Sequence, residues 1–189
     1  MKPIKESFWV KIEKEVEDTI EIGGMELYRD TSYDPMKLTR QYGIVYATPA
    51  KPIDGVDVQE GDKIWFHHFV ASDVNKVEYI EEENIYHVWI NQAYMVERDG
   101  VMIPIGNWNF VSQEIQGEQV SSSGLITSHG NTEVLHRGDI IYMNDWMKEQ
   151  GVEKVDRVVF TENSEYDMDI NGVSLLRMRN LDILGTYEG

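Results

Sequence analysis

The sequence predicts an all-β protein built twice: two tandem, partly open β-barrels, each carrying a long mobile loop. Three observations predict it. Apolar runs are short and alternating, rich in Val, Ile, Tyr, Trp and Phe and broken by Gly, Asp and Asn, which is the pattern of strands and turns. Blocks of similar sequence recur in the same order in both halves. In each half a long segment without regular patterning follows the first strand, and loops of such length are usually functional or disordered.

The expected strands are Phe8–Ile12, Gly43–Thr48, Lys63–Phe69, Ile85–Ile90, Asn109–Ile115, Asp139–Met143, Arg157–Phe160 and Ser174–Met178. The best helical candidate, Trp146–Gln150, is barely one turn.

The repeat is read from paired blocks. Lys2-Pro3-Ile4 leads into Phe8-Trp9-Val10 as Ile103-Pro104-Ile105 leads into Asn109-Phe110-Val111, at an offset of 101. Gly24-Met25-Glu26-Leu27 faces Gly124-Leu125-Ile126-Thr127 at 100, and Gln41–Tyr46 faces His136–Ile141 at 95. Asp62–Phe66 faces Asp156–Phe160 at 94, Glu78-Tyr79 faces Glu165-Tyr166, and Ala93–Val96 faces Leu181–Leu184. The order never breaks, and the offset shrinks only between candidate strands, where loops tolerate deletion. A duplication follows, with domains at 1–100 and 101–189 and a boundary near Asp99-Gly100. The long segments span the 27 residues between Lys14 and Tyr42, and about Gln116 to Arg137.

Composition narrows the function. Thirty-four acidic residues against 17 basic ones leave a formal charge of −17, which repels phosphate backbones and anionic headgroups. Neither a nucleic-acid nor a membrane partner is expected. The absence of cysteine excludes disulfides, thiolate metal sites and a Cys nucleophile. No stretch approaches the roughly 18 apolar residues of a membrane span, and the first residues lack a signal-peptide pattern. A soluble, cytoplasmic protein is the expectation.

Catalytic constellations are weak. His67-His68 is the most conspicuous pair, but neighbours on a strand point to opposite faces, so the two do not readily share a metal. No His-Glu-x-x-His, calcium loop, Gly-rich phosphate loop or nucleophile elbow is present. Glu81-Glu82-Glu83 reads as a solvated turn, and Trp65, Trp89 and Trp108 read as core or interface residues. No enzyme activity, metal or cofactor is expected.

The order of parts resembles the co-chaperonin family, the GroES-like lid subunits of the chaperonin system. That family has a Pro-x-x-Asp segment before strand one, then a mobile loop with a Gly-Gly-hydrophobic-x-hydrophobic run. An Arg-Gly-x-Val strand, a Gly-Asp-x-Val-x-Phe strand and a closing Asp-Ile-Leu-Gly segment follow. The first half shows Lys2–Glu6, Gly23-Gly24-Met25-Glu26-Leu27, Gly43-Ile44-Val45 and Gly61–Phe66. The second shows Arg137–Ile141, Asp156–Phe160 and Leu181–Tyr187. It departs in having only Gly124 ahead of Leu125-Ile126, and Val155 where the Gly before Asp156 would stand. In plan the pair is similar to the double co-chaperonins of chloroplasts, and divergent viral co-chaperonins compare as well.

The resemblance implies a homo-oligomeric ring that caps an ATP-dependent chaperonin and encloses a folding client, the ATP being bound by the partner. Gly23, Gly24, Met25, Glu26 and Leu27, with Gly124, Leu125 and Ile126, would form the partner-binding loops. Glycines permit the bend, the apolar side chains insert into a groove on the partner, and the ring multiplies weak single contacts. The alternatives are that Met25 and Leu27 pack on their own barrel, and that the tandem barrel serves as a structural or adaptor protein, for example of a virus particle.

Overall fold

A computed structural model describes residues 1–13, 19–22, 25–28, 41–80, 84–116, 119–120, 126–128, 132–154, 156–162, 164 and 166–187. The chain divides into two units, Met1–Ile105 and Gly106–Gly189. In the first, alternation places Val45 and Ala47 of Tyr42–Ala47 inside and Tyr42, Ile44 and Tyr46 toward solvent. Its strands are β1 (Ser7–Lys11), β2 (Thr19–Ile22), β3 (Met25–Tyr28), β4 (Tyr42–Ala47), β5 (Lys63–Phe66), β6 (Ile85–Trp89), β7 (Ala93–Arg98) and β8 (Val101–Pro104). Six form one antiparallel sheet in the order β6-β1-β4-β5-β7-β8, and β2 and β3 form a two-stranded sheet of their own. Phe8, Val10, Val45, Ile64, Phe66, Val88 and Val96 bury together on one face of the six-stranded sheet. Ile53, Val56 and Val58, from the segment before β5, pack against them.

The second unit contains β9 (Trp108–Gln116), β10 (Gln119–Val120), β11 (Ile126–Ser128), β12 (Thr132–Tyr142), helix α1 (Asp145–Glu149), β13 (Arg157–Phe160), β14 (Tyr166–Ile170), β15 (Val173–Arg179) and β16 (Ile183–Thr186). Its six-stranded sheet runs β14-β15-β9-β12-β13-β16, with β10 and β11 again separate. Val111, Ile140, Val158, Phe160, Leu176 and Met178 form its core, with Met147 of α1. The helix is capped by Asn144, whose side-chain oxygen accepts the Met147 N–H at 3.1 Å. Asn109 and Asn180 join Asn144 in a hydrogen-bonded triad, Asn180 Oδ1 accepting from Asn109 at 2.8 Å and from Asn144 at 2.7 Å.

The repeat extends to individual ladder positions. The central order β6-β1-β4-β5-β7 of the first unit is matched by β15-β9-β12-β13-β16 of the second. Trp9 opposes Ala47 and His87 where Phe110 opposes Tyr142 and Arg177. Ile64 opposes Val96 where Val158 opposes Thr186, and both ladders shift register one residue further, at Trp65/Phe66 and Val159/Phe160. The turn before β5, where Asp62 accepts the Gln59 N–H at 2.8 Å, has its copy in Asp156 and Glu153 at the same distance.

Gly43 and Gly138 occupy one equivalent site, and for one reason. A Cβ on Gly43 would lie 2.6 Å from the Lys11 carbonyl oxygen, and one on Gly138 would lie 2.1 Å from that of Ser112.

Several expectations need correction. The structure is all-β as expected, and among the described residues neither six-stranded sheet closes into a barrel. The last blocks pair at an offset of 90, not 88, so Ala93 matches Ile183 and Val96 matches Thr186. Glu78-Tyr79 is not the counterpart of Glu165-Tyr166. Tyr79 lies in a turn, Tyr166 opens β14, and Glu165 lies outside the described residues. Asp99-Gly100, near the expected boundary, forms a two-residue turn with both φ values positive, 52° and 78°, folding β8 back onto β7, and the two units divide at Ile105/Gly106. β5 ends at Phe66, because the chain turns into a 3-10 helix at His68–Ala71. No helix among the described residues is long and apolar enough to cross a membrane.

Candidate partner-binding hairpins

The 27-residue segment after β1 is not featureless. Thr19–Ile22 alternates polar and aliphatic residues, as does Met25–Tyr28, and the two strands pair as a hairpin. Ile20 lies opposite Leu27, Ile22 opposite Met25, Glu21 opposite Glu26, and Thr19 opposite Tyr28. That register sets the aliphatic positions 20, 22, 25 and 27 at matched places of the two strands, alternating with the Glu21–Glu26 pair. An isolated two-stranded hairpin is marginal in water, and like charges directly opposite each other weaken it further. A two-stranded sheet apart from the six-stranded one is therefore suited to gaining stability from something it docks against.

Of the residues expected to bind a partner, Met25, Glu26 and Leu27 lie on β3. Gly23 and Gly24, between the two strands, lie outside the described residues, as do Gly124 and Leu125. Ile126 begins β11 and lies opposite Val120 of β10, with Gln119 opposite Ser128. Sequence reading missed Ile20, Ile22 and Val120. The signal for Ile20 and Ile22 was the alternation Thr-Ile-Glu-Ile, obscured by the charged residues around it. The second hairpin carries a smaller aliphatic pairing than the first. On the strands leading to it, Ile115 and Leu135 are exposed.

Other polar groups near the sheets have structural partners. Arg98 at the end of β7 clamps two carboxylates, reaching Asp62 at 2.8 and 2.9 Å and Asp57 at 2.8 Å. The guanidinium holds the Asp57 carboxyl below its ordinary value, with Gln59 assisting. His87 is pushed below the ordinary imidazole value by burial first and by the Lys5 ammonium second.

The two adjacent histidines do not straddle a strand, as the sequence suggested. His67 precedes the 3-10 helix, its Nδ1 accepting the Phe69 N–H at 3.3 Å, and its ring stacks on His68 at 4.2 Å between centroids. Among the described residues no three His, Asp or Glu side chains come together in a way that could hold a metal ion. No protein-family model matches the chain, and no curated protein matches it either.

Proposed function

We propose that the chain is a co-chaperonin: a tandem protein of two GroES-like, partly open barrels that assembles into a ring, caps a chaperonin and helps enclose folding clients. The observation that carries this reading is the first hairpin, in which Ile20 pairs with Leu27 and Ile22 with Met25, lying in the chain between β1 and β4 of a unit whose strand order is itself repeated. Each aliphatic side chain contributes about 1.5–3 kcal/mol when fully buried on a partner, less the cost of ordering. One hairpin then binds weakly and releases readily, while a ring of them holds through high effective concentration. The partner binds and hydrolyses ATP; this chain needs no enzyme activity, metal or cofactor. A charge of −17 suits a cytoplasmic lid that avoids nucleic acid and anionic membranes.

The test is capture of a purified chaperonin, with ATP or ADP present, by wild type and by the double variant Met25→Ser/Leu27→Ser. The expected outcome is capture by wild type only, with the variant's melting curve little changed. If the double variant loses its fold, the hairpin packs on its own unit, and the structural or adaptor reading takes precedence. Equal capture by both proteins refutes the hairpin as the contact.

A further inference from the structure

The two units match bond for bond around the connection from β4 to β5 and its counterpart from β12 to β13. The Val45 N–H donates to the Asp62 carbonyl at 2.9 Å as Ile140 does to Asp156 at 3.0 Å. The Ile90 N–H donates to the Glu6 carbonyl at 3.1 Å as Asn180 does to Asn107 at 3.0 Å. At offsets of 101, 95, 94 and 90, Phe8 then corresponds to Asn109, Pro49 to Asn144, Ile53 to Met147 and Ile90 to Asn180. The backbone plan is shared, but the filling is not. In the second unit the asparagine triad caps α1, and Met147 of that helix is buried in the core at 3% exposure. In the first unit all three asparagine positions are apolar, and Pro49 stands where the cap would be. No helix forms there. The chain from Thr48 to Val58, with Phe8 of β1, instead walls a hollow of about 110 Å³ that is open to solvent on one side.

The hollow is lined by Phe8, Thr48, Pro49, Ile53, Val56 and Val58, with no charged side chain among its walls. A dry apolar cavity of about 150 Å³ holds benzene, so this one holds a group of roughly isobutyl size. Its walls are pinned. The Ala50 N–H donates to the Pro3 carbonyl at 2.8 Å, and the Val56 N–H to the Ile53 carbonyl at 3.1 Å. Arg98 grips Asp57, which stands between the wall residues Val56 and Val58, at 2.8 Å while also holding Asp62 at 2.8 Å. A wall fastened in this way relaxes only partially, and the space persists.

We infer that this hollow is a preformed binding site for one leucine-sized aliphatic side chain of another polypeptide, with Arg98 as the positioning residue that keeps it open. Volume sets the size of the group, and the uncharged lining rejects acidic and basic side chains, whose heads would lose their water. The open side lets the group stay attached to a chain outside. Lys51 and Asp54, both exposed on the same segment, are of opposite sign, so the chain's overall acidity is not concentrated at this mouth. The site goes beyond the proposed function and does not rest on it.

The test is methyl NMR of the full-length chain titrated with two blocked peptides, N-acetyl-Gly-Leu-Gly-amide and its alanine analogue. Three more buried carbons than the alanine methyl are worth about 50-fold in affinity at full burial, and at least about tenfold with one side open. The leucine peptide should shift the methyls of Ile53, Val56 and Val58 with that advantage. Thr48→Met, which installs the residue found at the matching position 143, should fill the hollow and abolish the difference. Arg98→Ala should weaken the leucine peptide several-fold while the β5–β7 ladder keeps its amide protection. Equal affinities of the two peptides for wild type, a comparison that needs no variant, overturn the proposal. Undiminished leucine binding by both Thr48→Met and Arg98→Ala overturns it as well. So does binding of isobutanol without binding of the peptide, since only a free small molecule would then fit. Chaperonin capture plays no part in this measurement, so a failure of either reading leaves the other standing.

Discussion

Replacing Gly138 with Ala tests the tightest backbone approach among the described glycines. Its new Cβ would lie 2.1 Å from the Ser112 carbonyl oxygen and 2.6 Å from Val111 Cγ1, whereas ordinary contact begins at 3.4 Å. The Val111 methyl can move with a rotamer change, but the carbonyl belongs to β9, so β9 and β12 must part locally by about 1 Å. That displacement lengthens the ladder around Gly138–Gln113 and Asp139–Ser112. Weakening about two hydrogen bonds at roughly 0.5–1.5 kcal/mol each, less about 0.4–1 kcal/mol gained from the stiffer unfolded chain, leaves a net loss of about 1–2 kcal/mol. Residual overpacking adds to it, since such insertions typically cost about 1–3 kcal/mol.

Gly43→Ala meets the Lys11 carbonyl at 2.6 Å, a milder conflict, and should cost about half as much. Urea unfolding followed by circular dichroism, with amide exchange to assign the loss to β9–β12 or β1–β4, measures both. A loss below about 0.5 kcal/mol for Gly138→Ala, the range of ordinary surface substitutions, would refute the close-approach argument. A larger loss for Gly43→Ala than for Gly138→Ala would do the same.

Asn144→Ala removes a helix cap and the hydrogen bond to Asn180, and should destabilise the second unit by about 2 kcal/mol in the same assay. Arg98→Ala leaves the Asp62 carboxylate, 5% exposed, without its cation and should lower the melting temperature. Arg98→Lys should recover only part of the loss, since an ammonium cannot fork to two carboxylates. His87 is held below the ordinary imidazole value of 6.5 in the folded state, so the unfolded chain takes up the proton first. Stability from this residue should be complete above pH 6.5 and fall as the pH drops below it. His87→Phe should flatten that part of the stability–pH curve, and an unchanged slope would assign it to other groups.

Alternation made eight strands legible, because Phe8-Trp9-Val10 or Gly43-Ile44-Val45 can bury one face only as a strand of period two. The order of the blocks made the duplication legible for the same reason: equivalent ladder positions need equivalent side chains. Asp99-Gly100 and Asn171-Gly172 carried a local hairpin signal, since both residues of such a turn need positive φ. The first of these was read as a boundary because a turn between strands and a linker between domains share one composition.

Where a residue's role depends on a distant neighbour, the sequence was silent. Nothing local reveals that Ile20 faces Leu27, that the offset at β16 is 90, or that His67 stacks on His68. Register arises from cross-strand pairing, and hydrogen bonds between backbones carry no residue code. The sequence by itself determined an all-β chain, its acidity and its repeated order. Only the tertiary structure decided that β8 covers β7 while β16 ends its sheet among the described residues. Which edge is left uncovered is settled by strand order and hydrogen-bond parity, and these exist only once the strands have met.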